Sequence, residues 1–409
     1  MTEADEVPEL EVVTREVDPL SSLIPVLDAH DPLLFIRRGE GVAGLGQALR
    51  LEFSGPERIR QAAETWRRIA ERARVDDPIG KSGTGLVAFG AFAFDDASER
   101  RSVLVVPEVI VGRRDGVSWV TRVNGSDRAV APTPLGAEYR IALHQGALDR
   151  EHYAEAVRRA IERIRAGELS KVVLARDLVG HLPAGGDLRR VLMDLSLGYP
   201  DTWAFAVDGL VGASPETLVR VKYGTVTARV LAGSIARGAD AAADHAAAVA
   251  LATSTKDLDE HRFAVRSAIS ALAPHSGAIT ASEEPYALKL PNLWHLATDI
   301  EAPLADRSTV LDLVAELHPT AAVAGDPTEV ALRLIRELEP TDRGLYGGPV
   351  GWVDQAGNGK WAVALRSAQV SADGGIRAFA GAGIVADSDP ERELAETRLK
   401  FTPVVEAFG

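Results

Sequence analysis

The chain has 409 residues, 46% of them apolar, a formal charge of −14 and no cysteine. This composition describes a globular protein long enough for two domains or one large one. It excludes disulfides, thiolate zinc sites and cysteine nucleophiles, and it argues against nucleic acid or an anionic membrane as partner.

Residues 1 to about 18 read as an acidic polar tail, with neither the basic nor the apolar region of a signal peptide. No run approaches the ~18 apolar residues of a membrane span, so a cytoplasmic location is expected. From there to about residue 145 strands dominate, around one amphipathic helix near Pro56–Arg74. The second half opens with a helix from about Glu151 to Ala166, whose stripe Tyr153, Val157, Ala160, Ile161, Ile164 has helical spacing and stops at Gly167. The turn signals Asp208-Gly209, Tyr223-Gly224, Gly357-Asn358-Gly359 and Asp373-Gly374-Gly375 predict close hairpins and therefore antiparallel sheet. Helices are expected over about Asp240–Ala273, broken near Thr253–Ser254, and over Thr309–Leu317 and Asp326–Leu338. Hairpins with segregated helices give an α+β fold. With no repeat and no linker, residues 19–409 are expected to form one large domain, an N-terminal half 19–145 and a catalytic half 146–409.

Two phosphate-loop imitations fail. Gly80-Lys81-Ser82 has Val75 where the first glycine of a P-loop belongs. Gly381-x-Gly383-x-x-Ala386 lies too near the chain's end for a βαβ unit, and reads instead as a glycine turn whose amides approach an anion.

The most informative signature is Glu393-x-x-Glu396-Thr397-x-x-Lys400. At 100° per residue its two carboxylates and ammonium share one helix face, within about 60°. Adjacent carboxylates repel unless a cation sits between them, and oxygen ligands suit Mg²⁺; an ordinary solvated face with a Glu396–Lys400 pair is the simpler alternative. With only seven lysines against 38 arginines, Lys171, Lys256 and Lys400 stand out by falling inside motifs. Lys171 opens an apolar strand, where a lysine either snorkels to water or loses its proton and acts as a general base. Glu216, presented by a turn after Gly212-Ala213-Ser214-Pro215, would be a general acid if buried. The Leu231-Ala232-Gly233-Ser234 turn offers amides and a hydroxyl to a carboxylate. Glu260 shares a helix face with Ala264, Ser267 and Ala271, and is either a further metal carboxylate or solvent-facing. His295 and His318, in apolar surroundings, read as satisfied core histidines.

Taken in order, the stretches SKVVLAR, GASPETL, LAGS, KDLDEH, LWHLATDIEA, LHPTAAVAGDP, RGLYGGPVGW, ALRSA, FAGAGIV and ERELAETRLK give the chain from about Glu151 to Gly409 a resemblance to the chorismate-utilising enzymes. The N-terminal part resembles them chiefly around Gly90-Ala91-Phe92-Ala93-Phe94-Asp95. The resemblance implies large antiparallel sheets packed with helices in a layered α/β/β/α sandwich. It implies that Lys171 activates a water and that Glu216 protonates the departing ring hydroxyl. Glu260 and Glu396, with Glu393 nearby, would hold Mg²⁺ against the ring carboxylate of chorismate. Arg366, Lys400, Tyr346 and the amides around Gly233 and Gly383 would hold the substrate, with Ser234 and His295 in the same set.

Within the family, ammonia users resemble one another in carrying glutamine at the position of Lys171, so no glutamine amidotransferase subunit is expected. Ala232 stands where one type of aminodeoxychorismate synthase has a lysine nucleophile. The HPTxAVxG and GPVGW stretches look like isochorismate synthase, a monomer serving menaquinone or siderophore biosynthesis. Arg343-Gly344-Leu345-Tyr346 is shared with salicylate synthases, so salicylate formation with loss of pyruvate is the nearest alternative. A catalytically silent chorismate-binding subunit is a second.

Overall fold

A computed structural model describes residues 8–409. In chain order the first part contains β1 (Glu11–Val17), β2 (Leu33–Arg37), β3 (Glu40–Leu45), β4 (Leu49–Phe53), α1 (Arg58–Arg72), β5 (Arg74–Asp76), β6 (Val87–Ala91), β7 (Ser102–Val106), β8 (Val109–Arg114) and β9 (Val117–Val123). The middle contains β10 (His144–Gln145), α2 (Arg150–Arg165), β11 (Lys171–His181), α3 (Leu188–Gly198), β12 (Trp203–Val207), β13 (Leu210–Ser214), β14 (Thr217–Lys222), β15 (Thr225–Ala236), α4 (Ala241–Thr253) and α5 (Thr255–Leu272). The last part contains β16 (Thr280–Ala281), β17 (Tyr286–Lys289), β18 (Leu293–Pro303), α6 (Val310–Leu317), β19 (Gly325–Asp326), α7 (Thr328–Leu338), β20 (Pro349–Asp354), β21 (Gly359–Val363), β22 (Ser367–Val370), β23 (Gly375–Ile384) and α8 (Pro390–Phe408).

Two sheets result. One has the order β10-β11-β23-β22-β13-β12-β2-β3-β8-β9-β1-β5, with β19 beside β11; the other runs β16-β18-β15-β14-β21-β20-β6-β7-β4, with β17 beside β18. All pairings are antiparallel except β1–β5. Strand alternation decides which residues face where. Leu34 and Ile36 of β2 pack outward with Leu188, Val191 and Leu195 of α3 and Phe401, Val404 and Phe408 of α8. Phe35 between them points to the other side and stacks on Trp203 at 5.0 Å. There it joins the core that contains Phe89, Trp352 and Trp361 of the second sheet. Helices α2, α3 and α8 thus cover the first sheet, while α1, α5 and α6 cover the second.

Each expected hairpin forms: β12–β13, β14–β15, β20–β21 and β22–β23. The expected helix break is also present. Ser254 leaves helical geometry and its side chain accepts the Asp257 N–H, ending α4 and capping α5. Two expectations are corrected. Residues 11–17, read as part of a polar tail, form β1, because Val12 and Thr14 alternate inward and are buried while the charges alternate outward. The sequence reading also passed over α3, whose stripe Leu188, Val191, Leu192, Leu195 follows an Asp187 cap.

Candidate active site

Long antiparallel pairing of β11 with β23 sets the floor of the site. Lys171, the first residue of β11, is wholly buried, and its Nζ lies 3.1 Å from Glu260 Oε1 on α5. The ammonium is out of line for a hydrogen bond to that oxygen and has no other aligned partner. The Gly381–Ile384 segment, expected as a glycine turn, is a continuation of β23. Its glycines serve by size: a Cβ on Gly383 would stand 2.3 Å from Glu260 Oε1 and 3.0 Å from Lys171 Cε. Small size at this point lets the carboxylate and the ammonium meet over the strand.

The Leu231–Ser234 segment is likewise a bulge in β15 and not a turn. Pairing with β18 shifts register between Ala232 and Ser234, and Gly233 takes φ +80° there. The bulge turns Gly233 O and the Ser234 hydroxyl toward His295 of β18, whose Nδ1 lies 3.2 Å and 3.0 Å from them. Its Nε2 accepts a 2.9 Å hydrogen bond from Arg366 Nη2. Burial, reinforced by Arg366 and Lys400, keeps the imidazole well below its ordinary pKa, so the neutral ring carries its proton on Nδ1 and fixes the guanidinium. Arg366 has φ +50°, a conformation that costs a non-glycine residue about 1 kcal/mol. The bend sets Arg366 between β21 and β22, facing the cavity.

Glu216 sits on the opposite wall, after Pro215 at the β13–β14 junction. Its N–H donates to Ser214 Oγ at 3.2 Å and its C=O accepts from Val363 N–H at 3.2 Å. Burial pushes its carboxyl up to about 8, outweighing the opposing pull of Arg366, Lys171 and Lys400. Glu216 therefore holds its proton at neutral pH inside a polar cavity.

That cavity is lined by Glu216, Gly233, Ser234, Glu260, His295, Tyr346, Arg366, Gly383 and Lys400, which are nine of the twelve residues singled out from sequence. Lys171 lies just behind Gly383. Tyr346 stacks on Phe379 at 5.3 Å, and burial raises its phenol further above the ordinary range. Lys400 donates to Gly381 O at 2.9 Å and pairs with Glu396 at 2.6 Å. The free volume is about 50 Å³, room for a few waters, so the walls must part to admit a ring-sized substrate. A surface cleft of about 760 Å³ between α1 and α6 is larger, but the charges along it are mostly paired with one another.

Glu393 and Glu396 do not line the cavity. Glu393, only 1% exposed, is held by Lys256 Nζ at 2.7 Å. Burial and the neighbouring Glu396 push Glu393 up, whereas Lys171, Lys400 and Lys256 together hold Glu260 below the ordinary value against its burial. Glu260 itself is buried, which settles its alternative as a solvent-facing residue. Among the described residues no three carboxylate or imidazole groups are gathered closely enough to ligate one ion. The oxygen-only donors Glu260, Glu393 and Glu396 still fit a hard dication in chemistry, since Glu260 and Glu393 are buried, the half-buried Glu396 repels Glu393, and each is compensated here by a lysine.

One cavity-lining residue and one ion-pair partner were given no role by the sequence reading. Arg343 lines the cavity, held by Glu339 at 2.5 Å and donating to Val173 O at 2.7 Å; in the sequence it served only as a family marker. Lys256, outside the cavity against Glu393, had as its signal the scarcity of lysine and its place in the KDLDEH stretch. His318 is a satisfied core histidine as expected, with Nε2 2.9 Å from Phe94 O.

The family described as "Chorismate binding enzyme" matches residues 3–126 and 118–409. An isochorismate synthase of Bacillus subtilis is 32% identical over 402 residues, covering 90% of this chain and 85% of the relative. A salicylate biosynthesis isochorismate synthase of Pseudomonas aeruginosa is 34% identical over 441 residues, covering 98% and 90%. The solved menaquinone-specific isochorismate synthase of Escherichia coli superposes with a TM-score of 0.80 at 23% identity, covering 99% of this chain and 97% of the other. No helix among the described residues is long and apolar enough to cross a membrane.

Proposed function

Because the chain belongs to the chorismate-binding enzyme family, we propose that it converts chorismate to isochorismate, an isomerisation in which water adds at ring carbon 2 and the carbon-4 hydroxyl leaves. The observation that carries this reading is the protonated Glu216 facing, across one small cavity, the Lys171–Glu260 pair. Lys171 takes a proton from the incoming water in its free-amine form, becoming the ammonium that pairs with Glu260. The water oxygen bonds to carbon 2, both double bonds of the ring diene shift one place toward carbon 4, and the hydroxyl departs with the proton of Glu216. One water enters and one leaves, so the atoms balance.

Arg366, fixed by His295, and Lys400, fixed against Gly381 O, supply the positive charge that a net-acidic protein needs to hold a dicarboxylate. Tyr346 and the backbone around Gly233 and Gly383 complete the cradle. Glu260, Glu393 and Glu396 would hold Mg²⁺, which neutralises and orients the ring carboxylate. With a lysine at position 171 and water as nucleophile, the chain acts as a cytoplasmic monomer without an ammonia-delivering partner.

The test is to incubate the purified protein with chorismate and Mg²⁺, with an EDTA control, and to resolve the products by chromatography. Isochorismate alone is expected. Salicylate with pyruvate would replace the reading with that of a salicylate synthase, and no Mg²⁺-dependent product would leave a binding role.

A further inference from the structure

A second concentration of charge lies away from the catalytic cavity, at one edge of the gap between the sheets. In the second sheet Arg220 of β14 stands directly opposite Lys360 of β21. Like charges paired across antiparallel strands destabilise a sheet unless something compensates them. Lys222 follows two residues along, on the same face as Arg220. From the first sheet, Arg37 at the end of β2 and Arg114 at the end of β8 reach into the same space. The Arg37 guanidinium and the Lys360 ammonium lie 5.4 Å and 5.1 Å from the centre of the Trp203 ring, and Arg114 lies 5.8 Å from that of Trp352.

None of these five basic side chains has an ion pair within 4.0 Å among the described residues, although the chain carries a surplus of 14 negative charges. The nearest acids are committed elsewhere or act at a distance: Asp201 pairs with Arg38 and Asp299 with Arg229, while Asp115 and Glu40 act on Arg114 only through space. Three buried donors, Arg37 Nε, Arg114 Nη2 and Arg220 Nε, have no hydrogen-bond partner, and Arg114 is only 9% exposed. Burial, with Arg114, Arg220, Lys222 and Arg37 adding to it, pulls the Lys360 ammonium down to about 6. The Gly80-Lys81-Ser82 loop closes over the cluster, Ser82 accepting from Arg114 and donating to the Tyr223 hydroxyl.

We propose that this cluster is a binding site for a compact, multiply charged anion bearing phosphoryl or carboxyl oxygens. Guanidinium forks with unfilled N–H groups match such oxygens geometrically, and several uncompensated cations in one place call for more than one negative charge. The site is separate from the catalytic cavity: Lys360 lies three residues along β21 from Val363, which bonds Glu216, a distance of about 10 Å.

Thermal unfolding in EDTA with inorganic pyrophosphate, and separately with citrate, tests the proposal, with NaCl of equal ionic strength as reference. A saturable rise in Tm of about 3 °C at a hundredfold excess over Kd is expected; the stronger of the two probes identifies the phosphoryl or carboxyl class. At pH 5, below the value of about 6 at which Lys360 gives up its proton, Lys360→Met is expected to raise Tm without any anion, by removing the Arg220 repulsion, and to abolish the anion response. Arg220→Gln is the second variant should the first fail to fold. No saturable response in the unmodified protein would overturn the proposal, and so would a response that both variants retain, which would place the anion elsewhere.

Discussion

A carboxyl that keeps its proton to about pH 8 is an acid at neutral pH, and Glu216 acquires that property from burial. Glu216→Gln is expected to lower kcat by about 10²–10⁴, and in the unmodified enzyme the rate should fall as pH rises through about 8. The same shift acts on stability. The folded carboxyl binds its proton more tightly than the ordinary group at 4.5, so the folded state carries the extra proton between the two values and loses stability as pH rises from about 4.5 to about 8. The glutamine variant lacks this penalty and should be the more stable protein at pH 8, by on the order of 3 kcal/mol. Urea unfolding at pH 5 and pH 8 measures it; an equal loss of stability in both proteins would remove Glu216 as the titrating group. Lys171 presents the complementary case. Removing it leaves Glu260 buried with one countercharge fewer, so Lys171→Ala should cost about 3–5 kcal/mol. Adding Glu260→Gln should restore most of the stability and none of the turnover. If the double variant is no more stable than the single, the pair does not carry the cost.

At the scale of elements, glycine was the main source of misreading. Hairpins were legible because Asp208-Gly209 or Asp373-Gly374 sits between apolar runs and takes a positive φ. The same residue inside β15 and β23 looked like punctuation too, yet there it marks a bulge and a close approach. Local sequence cannot distinguish these cases, since the crowding atoms at Gly383 come from Glu260 and Lys171, far away in the chain. The α8 face was legible for the opposite reason: helical spacing alone places Glu396 over Lys400. The partnership of Glu393 with Lys256 joins two helices and was not legible. If close approach is what position 383 provides, Gly383→Ala must displace the Glu260 carboxylate. A side-chain terminus yields more easily than backbone, so the variant should fold with Tm within a few degrees of the parent while kcat falls at least ~10-fold. An unchanged kcat would show that Glu260 works equally well from a shifted position.

At the scale of the whole molecule, the two halves read from sequence do not each own a sheet. Residues up to 145 contribute the β2-to-β5 end of one sheet, the β6-β7-β4 end of the other and the short β10 at the first sheet's far edge, joined to the rest through β12–β2, β20–β6 and β10–β11. Every residue of β12 and of β20 is buried. Cutting the chain at 145 would turn both strands into long apolar edges, and would also take Phe35 from Trp203 and Phe92 from Trp361. We infer that the chain from β1 onward, residues 11–409, folds as one cooperative unit although all the candidate catalytic residues lie beyond 146. Residues 146–409 expressed alone should then be insoluble, or soluble without a cooperative unfolding transition, and co-expression with 1–145 should restore soluble protein and turnover. A soluble 146–409 fragment that unfolds cooperatively and isomerises chorismate by itself would refute the single unit and make the N-terminal half an accessory layer.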